Sequence, residues 1–486
     1  CAQCFSRLAS TSLPVLTLTT SLAESAAQLM PQSSDAAAEV AFQSLLRGDV
    51  RTASSLYKKA STLGDGNATP LVGLIACAIQ QGSYAEAAKQ LDFLNEISSG
   101  GQQKNAELLF LGAQLQRLHT KDAKAAVELL DRAVEAHRQE YAAVPSGTEM
   151  YTKLNPYLMM LMAKEYVHHC RTEPGESSRP DPLVEKTRRL LDQLLRLVPG
   201  STEAQLLNAR MAFISGDHDR ASSLVAASIR QDQGLADAHL LQATILQHTG
   251  NHAGATQALE MALSLDFEIN DTPTFNALRG TLLYHKGEYE AALQALKTAV
   301  TAAGGTTTAG GGSGGAGAGG QVDALGPVKS ADASKPGAKK VGKGQLSAGE
   351  HVGLYLQLAQ TYVKMRDAAN AKQTIREALQ KFGDTPHVGR VQIAQALLLA
   401  HSDAEAAFTI LRAVPTSSPH FLAAKAHMAQ LYLSLRGNRR AFARCYEEVV
   451  EAMPSVQSYM HLGDAYAGIQ EPDKAIVAYE KARAMD

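Results

Sequence analysis

Tryptophan is absent from the 486 residues, and aromatic side chains supply only 5% of them. An interior built without large rings must come from alanine and aliphatic residues, a composition suited to helices stacked closely on helices. An excess of charge of either sign is also lacking. Lys and Arg total 46 against 48 Asp and Glu, a net charge of −2, and the pI is about 6.8. Nothing global therefore draws the chain to nucleic acid or to an anionic membrane. No apolar run reaches the roughly 18 residues of a membrane span. The nearest, Leu13 to Met30, is broken by Ser, Thr, Glu and Gln and reads as a helix opening the fold. Cysteine is scarce and scattered (Cys1, Cys4, Cys77, Cys170 and Cys445), which excludes a disulfide framework and points to a reducing compartment. Cys1 and Cys4 have the spacing of half a zinc site, but no second pair completes it. No metal or other cofactor is expected.

What is present is a repeat. Residues 458–486 read SYMHLGDAYAGIQEPDKAIVAYEKARAMD. Tyr459, Leu462, Gly463 and Tyr466 share one helix face, and Ala475, Tyr479 and Ala482 share a face of a second helix. This resembles the tetratricopeptide pattern of two antiparallel helices in a 34-residue unit. One unit cannot bury its apolar side alone, so the pattern requires neighbours. They appear as triplets stepping by four and then three: Ala53-Tyr57-Ala60, Ala87-Leu91-Leu94, Ala126-Leu130-Ala133, Thr187-Leu191-Leu194, Ala221-Val225-Ser228, Ala255-Leu259-Ala262, Ala292-Leu296-Ala299, Ala371-Ile375-Ala378, Ala406-Ile410-Ala413 and Ala475-Tyr479-Ala482. A weaker one is Phe442-Tyr446-Val449. Ala53 and Ala87 are 34 residues apart, as are Thr187 and Ala221, then Ala221 and Ala255. Twelve positions upstream of their triplets stand Ala209, Ala243, Gly280, Ala359, Ala394 and Gly463, small enough for two backbones to approach. The principal packing positions are accordingly Ala221, Ala255, Gly280, Ala292, Ala359, Ala371, Ala394, Gly463, Tyr466, Ala475, Tyr479 and Ala482.

The turns obey the same register. Gly48-Asp49, Gly216-Asp217, Gly250-Asn251, Gly287-Glu288 and Gly437-Asn438 fall between the two helices of a unit. Glycine accepts the left-handed conformation that ends a helix, and Asp or Asn caps the next. Pro199 and Pro454 close units at the far side. The expected fold is an all-α, right-handed tetratricopeptide solenoid of about eleven units. A helical lead-in occupies 1–35, an array 36–300, an insertion 301–349, and the continued array 350–486. Because the chain opens on Cys and stops at Asp486, one residue short of the usual closing proline, it is expected to be a section of a longer protein.

Two segments break the register. Ala126 and Thr187 are 61 residues apart, and the excess includes 144–147 and the proline-rich loop from Arg171 to Pro182. Between them, LNPYLMMLMAKEYVHHC still reads as a first helix. In the insertion, ten of the seventeen residues from Gly304 to Gly320 are glycine. Such a coil has a natural span of roughly 40 Å, whereas packed helices lie about 10 Å apart, so it should loop out while the array continues. Closing it costs only about 2 kcal/mol more than a tight turn. Lys329, Lys335, Lys339, Lys340 and Lys343 make its end basic, which reads first as a solvated linker.

No catalytic constellation is present. The glycine-rich stretch lacks a following Gly-Lys-Ser/Thr, and no Gly-x-Ser-x-Gly or His-Glu-x-x-His occurs. His168 and His169 are adjacent and face different sides of a helix, so they cannot form an i, i+4 metal pair. The first-helix pairs Leu206/Arg210, Leu240/Thr244, Ala277/Thr281, Leu356/Gln360 and Met460/Asp464 lack the Lys-with-Asn combination of carboxylate clamps that bind chaperone tails. The chain reads as non-catalytic and made for contact with other proteins.

The segment from Leu462 to Ala482, LGDAYAGIQEPDKAIVAYEKA, resembles the tetratricopeptide repeat protein 21 family, above all in Ile469-Gln470-Glu471-Pro472, which a generic repeat would not fix. FLNEI (Phe93 to Ile97), LNPYLMMLMAKEYV (Leu154 to Val167) and ADAHLLQATIL (Ala236 to Leu246) extend the resemblance in the same order; residues 301–349 do not share it. The resemblance implies a scaffold subunit of intraflagellar transport complex A, active in retrograde transport and cargo entry at the cilium or flagellum, its basal body and the cytoplasm. Its implied partners are the other complex A subunits, which combine β-propellers with helical repeats; no catalytic residues carry over. The alternative is a general repeat adaptor in a chaperone or ubiquitin-ligase assembly. A third reading, the repeat region of an enzyme such as a glycosyl transferase, would need a catalytic domain elsewhere.

Overall fold

The computed structural model describes residues 2–8, 12–63, 68–98, 105–142, 144, 153–171, 181–304, 346–400 and 402–485. Within them, 24 α-helices and no strands are found. Two compact units divide at residue 233, not at the insertion. The first holds α1 (Ala2–Leu8), α2 (Leu13–Leu29), and five hairpins: α3/α4 (Ser34–Leu46, Val50–Leu63), α5/α6 (Thr69–Gln80, Tyr84–Ser98), α7/α8 (Ala106–Leu115, Ala123–Ala142), α9/α10 (Pro156–His169, Pro182–Leu197) and α11/α12 (Thr202–Ile214, His218–Gln231). The second holds six: α13/α14 (Ala236–His248, His252–Leu265), α15/α16 (Pro273–Lys286, Tyr289–Ala302), α17/α18 (Ala348–Lys364, Ala368–Phe382), α19/α20 (Val388–Leu399, Ala404–Arg412), α21/α22 (Phe421–Arg436, Arg439–Ala452) and α23/α24 (Val456–Gly468, Pro472–Met485). The protein is an all-α repeat solenoid. Successive first helices lie side by side from α3 to α9 in the first unit and from α13 to α21 in the second.

One turn geometry recurs between the helices of a pair. Gly48, Gly216, Gly250, Gly287 and Gly437 are left-handed, with φ of +61° to +89°. At Gly216 the amide bonds the Phe213 carbonyl (3.0 Å) and the next amide, of Asp217, reaches the Ala212 carbonyl (3.0 Å). Asp217 then caps α12 by accepting from the Arg220 amide. Gly82 (φ +81°) repeats the arrangement, while Arg366 and Gln470 take the left-handed position without being glycine. Four residues after each cap comes the amide that bonds the cap carbonyl: Ala53 to Asp49, Ala221 to Asp217, Ala255 to Asn251, Ala371 to Asp367. Those residues are fully buried against the first helix.

That rule corrects the register of the ninth hairpin. Asp403 caps α20, and the amide bonding its carbonyl belongs to Ala407. The buried residues are Ala407, Phe408, Leu411 and Val414, while Ala406 and Ile410 are half-buried and Ala413 is exposed. The small residue in the same core on α19 is Ala396; Ala394 is half-buried and packs towards the core of α17 and α18. In α22 the rings of Phe442 and Tyr446 are half-buried, and Ala443, Cys445 and Val449 are buried.

Residues 305–345, with the five lysines named above, lie outside the described residues, as do Cys1, 145–147 and most of the loop from Arg171 to Pro182. The helices flanking the insertion share one core. Leu296, Ala299 and Val300 of α16 cluster with Val352, Tyr355 and Leu358 of α17. Thr281 of α15 and Gln357 of α17 exchange hydrogen bonds (2.7–2.9 Å).

Candidate functional site

The seam between paired helices is where small residues matter. A Cβ added to Gly463 would lie 2.3 Å from Cε1 of Tyr479, and one added to Gly280 would lie 2.6 Å from Cγ of Leu296. Ala209, Ala221, Ala243, Ala255, Ala292, Ala359, Ala371, Ala475 and Ala482 are buried along the same seams, as is the Tyr466 ring. Tyr479 is half-buried; its hydroxyl donates to Asp464 on the facing helix (2.7 Å), so Asp464 has a structural partner that the sequence register does not disclose. Gly73 is a further close approach: its added Cβ would meet the Tyr57 ring at 2.3 Å. The sequence carries a trace of it, a glycine inside the apolar run PLVGLIACAI.

Tyrosines also tie one hairpin to the next. The hydroxyl of Tyr166 on α9 donates to Asp131 on α8 (2.6 Å), whose other oxygen takes the Lys186 ammonium (2.7 Å). Tyr466 on α23 donates to Glu447 on α22. Burial first, and then Asp131, pushes the Tyr166 phenol well above its ordinary value. Arg117 forks onto buried Glu165 at 2.5 and 3.1 Å, from a π-helical turn (Gln116–Thr120) that re-aims it towards α9.

In the first unit a buried polar cluster joins α1, α2 and α3. Glu39 on α3 is 8% exposed at its side chain and receives Arg7 of α1 at 3.2 Å. Gln43 donates to the same carboxylate (2.8 Å), and Thr19 of α2 donates to Gln43 (3.0 Å). The Arg7 guanidinium lies over the Phe42 ring, 4.7 Å from its centre. Phe42 in turn meets Tyr157 of α9 edge to face at 5.7 Å, although α3 and α9 belong to hairpins three apart.

Nothing in these arrangements resembles catalytic machinery. Burial raises the thiols of Cys77, Cys170 and Cys445 to about 11, which leaves them protonated at neutral pH. His169 stands 3.9 Å from Glu165, but desolvation lowers its pKa first, and so favours the neutral ring. Among the described residues no group of three or more His, Cys, Asp and Glu is placed to hold a metal ion, and no helix is long and apolar enough to cross a membrane. What these arrangements do is pack: apolar seams fix the hairpins, and polar side chains tie neighbouring helices together.

Comparison with known proteins agrees with that description. A family model described as the tetratricopeptide repeat protein 21 second ARM domain matches residues 1–250. A second, the tetratricopeptide repeat protein 21 ARM repeat, matches 267–449, and a general tetratricopeptide repeat matches 456–485. Human tetratricopeptide repeat protein 21B is 31% identical over 98% of this chain and 34% of its own length. Mouse tetratricopeptide repeat protein 21A is 28% identical over 93% of the chain and 32% of its length. The Caenorhabditis elegans homolog is 23% identical over 90% and 31%. The chain thus spans about a third of the length of the curated relatives it matches.

Proposed function

The chain belongs to the tetratricopeptide repeat protein 21 family, and from that premise we propose that it acts as a non-catalytic scaffold segment of intraflagellar transport complex A. The coarser statement, a repeat-based scaffold, rests on the family and on eleven stacked hairpins among the described residues. The finer one adds a place of work: the cilium or flagellum, its basal body and the cytoplasm, with the other complex A subunits as partners, in retrograde transport and cargo entry. The observation that supports it is the extent of the likeness, 31% identity over 98% of the chain, with family models matching residues 1–250 and 267–449.

The mechanism follows from the architecture. Each hairpin needs its neighbours to bury its apolar face, so within each unit the stacked hairpins present an extended contact surface. No step of bond chemistry is required.

Affinity purification of the full-length protein from ciliated cells, with cross-linking mass spectrometry, tests the reading. Complex A subunits should co-purify, with cross-links into 34–485, and loss of the protein should leave material at ciliary tips. Recovery of chaperones or ubiquitin-ligase subunits in place of complex A would give the general adaptor reading and end this one.

A further inference from the structure

One exposed stretch of the second unit combines large apolar side chains with carboxylates. Met261 and Leu265 stand one turn apart on the solvent side of α14, 49% and 40% exposed, and Phe267 just beyond the helix is 78% exposed. Glu260 precedes them in the chain and Glu268 and Asp271 follow, all three exposed. From Gly234, where the second unit begins, to Leu278 there is no Lys or Arg, against five carboxylates: Asp237, Glu260, Asp266, Glu268 and Asp271. The Lys286 ammonium of α15 feels Glu260, but it is bonded to Glu288 (2.6 Å).

The exposure of Phe267 is built into the fold. It opens a 3-10 helical turn (Phe267–Asp271) that is pinned at both ends. The Asp266 carboxylate accepts from the Glu268 amide (3.0 Å), the Thr272 hydroxyl donates to the Ile269 carbonyl (2.6 Å), and the Asn276 side-chain amide donates to the Asn270 carbonyl (2.6 Å). Ile269 is buried in one core with Leu259, Phe275 and Leu278. The turn therefore sends Ile269 inward and holds Phe267 out. A ring kept in water adds no burial to folding; its apolar area is released from water only on contact with another surface. Apolar side chains grouped on a surface and rimmed by polar ones mark such contact sites.

We propose that Met261, Leu265 and Phe267 form a docking surface for a basic amphipathic helix of a partner protein. The occupant follows from shape and charge. Met261 and Leu265 make an i, i+4 ridge, against which the apolar stripe of a second helix packs. Phe267 supplies the aromatic anchor. Glu260 on one side of the apolar residues, with Glu268 and Asp271 on the other, selects Lys or Arg on the flanks of that helix and repels an acidic one. The inference goes beyond the transport reading and does not depend on it, because any assembly can supply such a helix.

The test titrates a fluorescein-labelled amphipathic peptide of lysine and leucine into the whole chain and reads anisotropy. Binding should weaken at least about tenfold in Phe267→Ser and in Glu268→Lys. Leu435→Ser, at an exposed apolar position beside Arg436, should leave it unchanged. Added salt should weaken binding, and the counterpart peptide of glutamate and leucine should bind less tightly than the lysine one. All three substitutions fall at exposed positions, so helical circular dichroism should not change. Equal affinity of wild type, Phe267→Ser and Glu268→Lys overturns the proposal, as does the absence of binding. Two other occupants have their own signatures, and either result also overturns it. Tighter peptide binding after deletion of residues 305–345 would make this chain's own lysines the occupant. A wild-type dimer abolished by Phe267→Ser would make it a second copy.

Discussion

Gln470 occupies a place that glycine holds in six other turns. Its φ is +64° and its side chain is exposed. A left-handed backbone costs an L-residue about 1–2 kcal/mol that glycine avoids, and no buried contact offsets it here. Gln470→Gly should therefore raise stability by about 0.5–1 kcal/mol, read as a higher urea midpoint at unchanged m-value; a lower midpoint would show that the turn draws on the side chain. Histidine sets a second residue-level expectation. His137 is buried with Nε2 donating to the Leu154 carbonyl (2.9 Å), and desolvation holds its pKa below the ordinary 6.5. His168, His169, His351 and His427 are shifted the same way, first by burial. The unfolded chain then binds more protons than the folded one below pH 6.5, so stability is full above that value and falls with acidification towards the lowered folded pKa values. Thermal melts between pH 7.5 and 5 should show this decline, and His137→Gln should make it shallower.

At the scale of the element, the capped second helix is the unit of register. The cap fixes where the helix begins, and the fourth residue after it meets the first helix. For α20 this places Ala407 against α19 and leaves Ala406 at the margin. Ala407→Leu should cost about 1–3 kcal/mol by overpacking, whereas Ala406→Leu should stay within about 1 kcal/mol. Equal losses on denaturation would refute the assignment. Both alanines satisfy a four-then-three spacing with their followers, so periodicity alone does not separate them; Asp403 does, because its side chain accepts from the Ala406 amide (3.0 Å) and marks the helix start.

For the whole molecule, the insertion and the division into units are separate matters. The division falls at residue 233, while α16 and α17 share a core on either side of the insertion. His351 hydrogen-bonds the Ala303 backbone, so the two ends of the insertion start close together. Replacing 305–345 with a ten-residue Gly/Ser linker should leave helical circular dichroism unchanged and raise stability by about 1 kcal/mol through the shorter closure. A loss of more than about 3 kcal/mol would mean the segment does more than connect. Net charge near zero adds no long-range steering to this picture, so selectivity for any partner would rest on local surfaces.

The amino-acid sequence by itself determined the repeat length, the helix starts and the glycine turns, because each depends on residues a few positions apart: a cap and its amide, a left-handed glycine, a face repeating every turn. It left the ninth hairpin ambiguous for the same reason, two alanines being locally equivalent. Only the tertiary structure decided that Asp464 meets Tyr479, that Phe42 meets Tyr157 three hairpins away, and that Arg7 lies in the pocket of Glu39. The first depends on how the two helices of one hairpin cross, the others on small rotations between successive helices, and neither is encoded in a short stretch of residues.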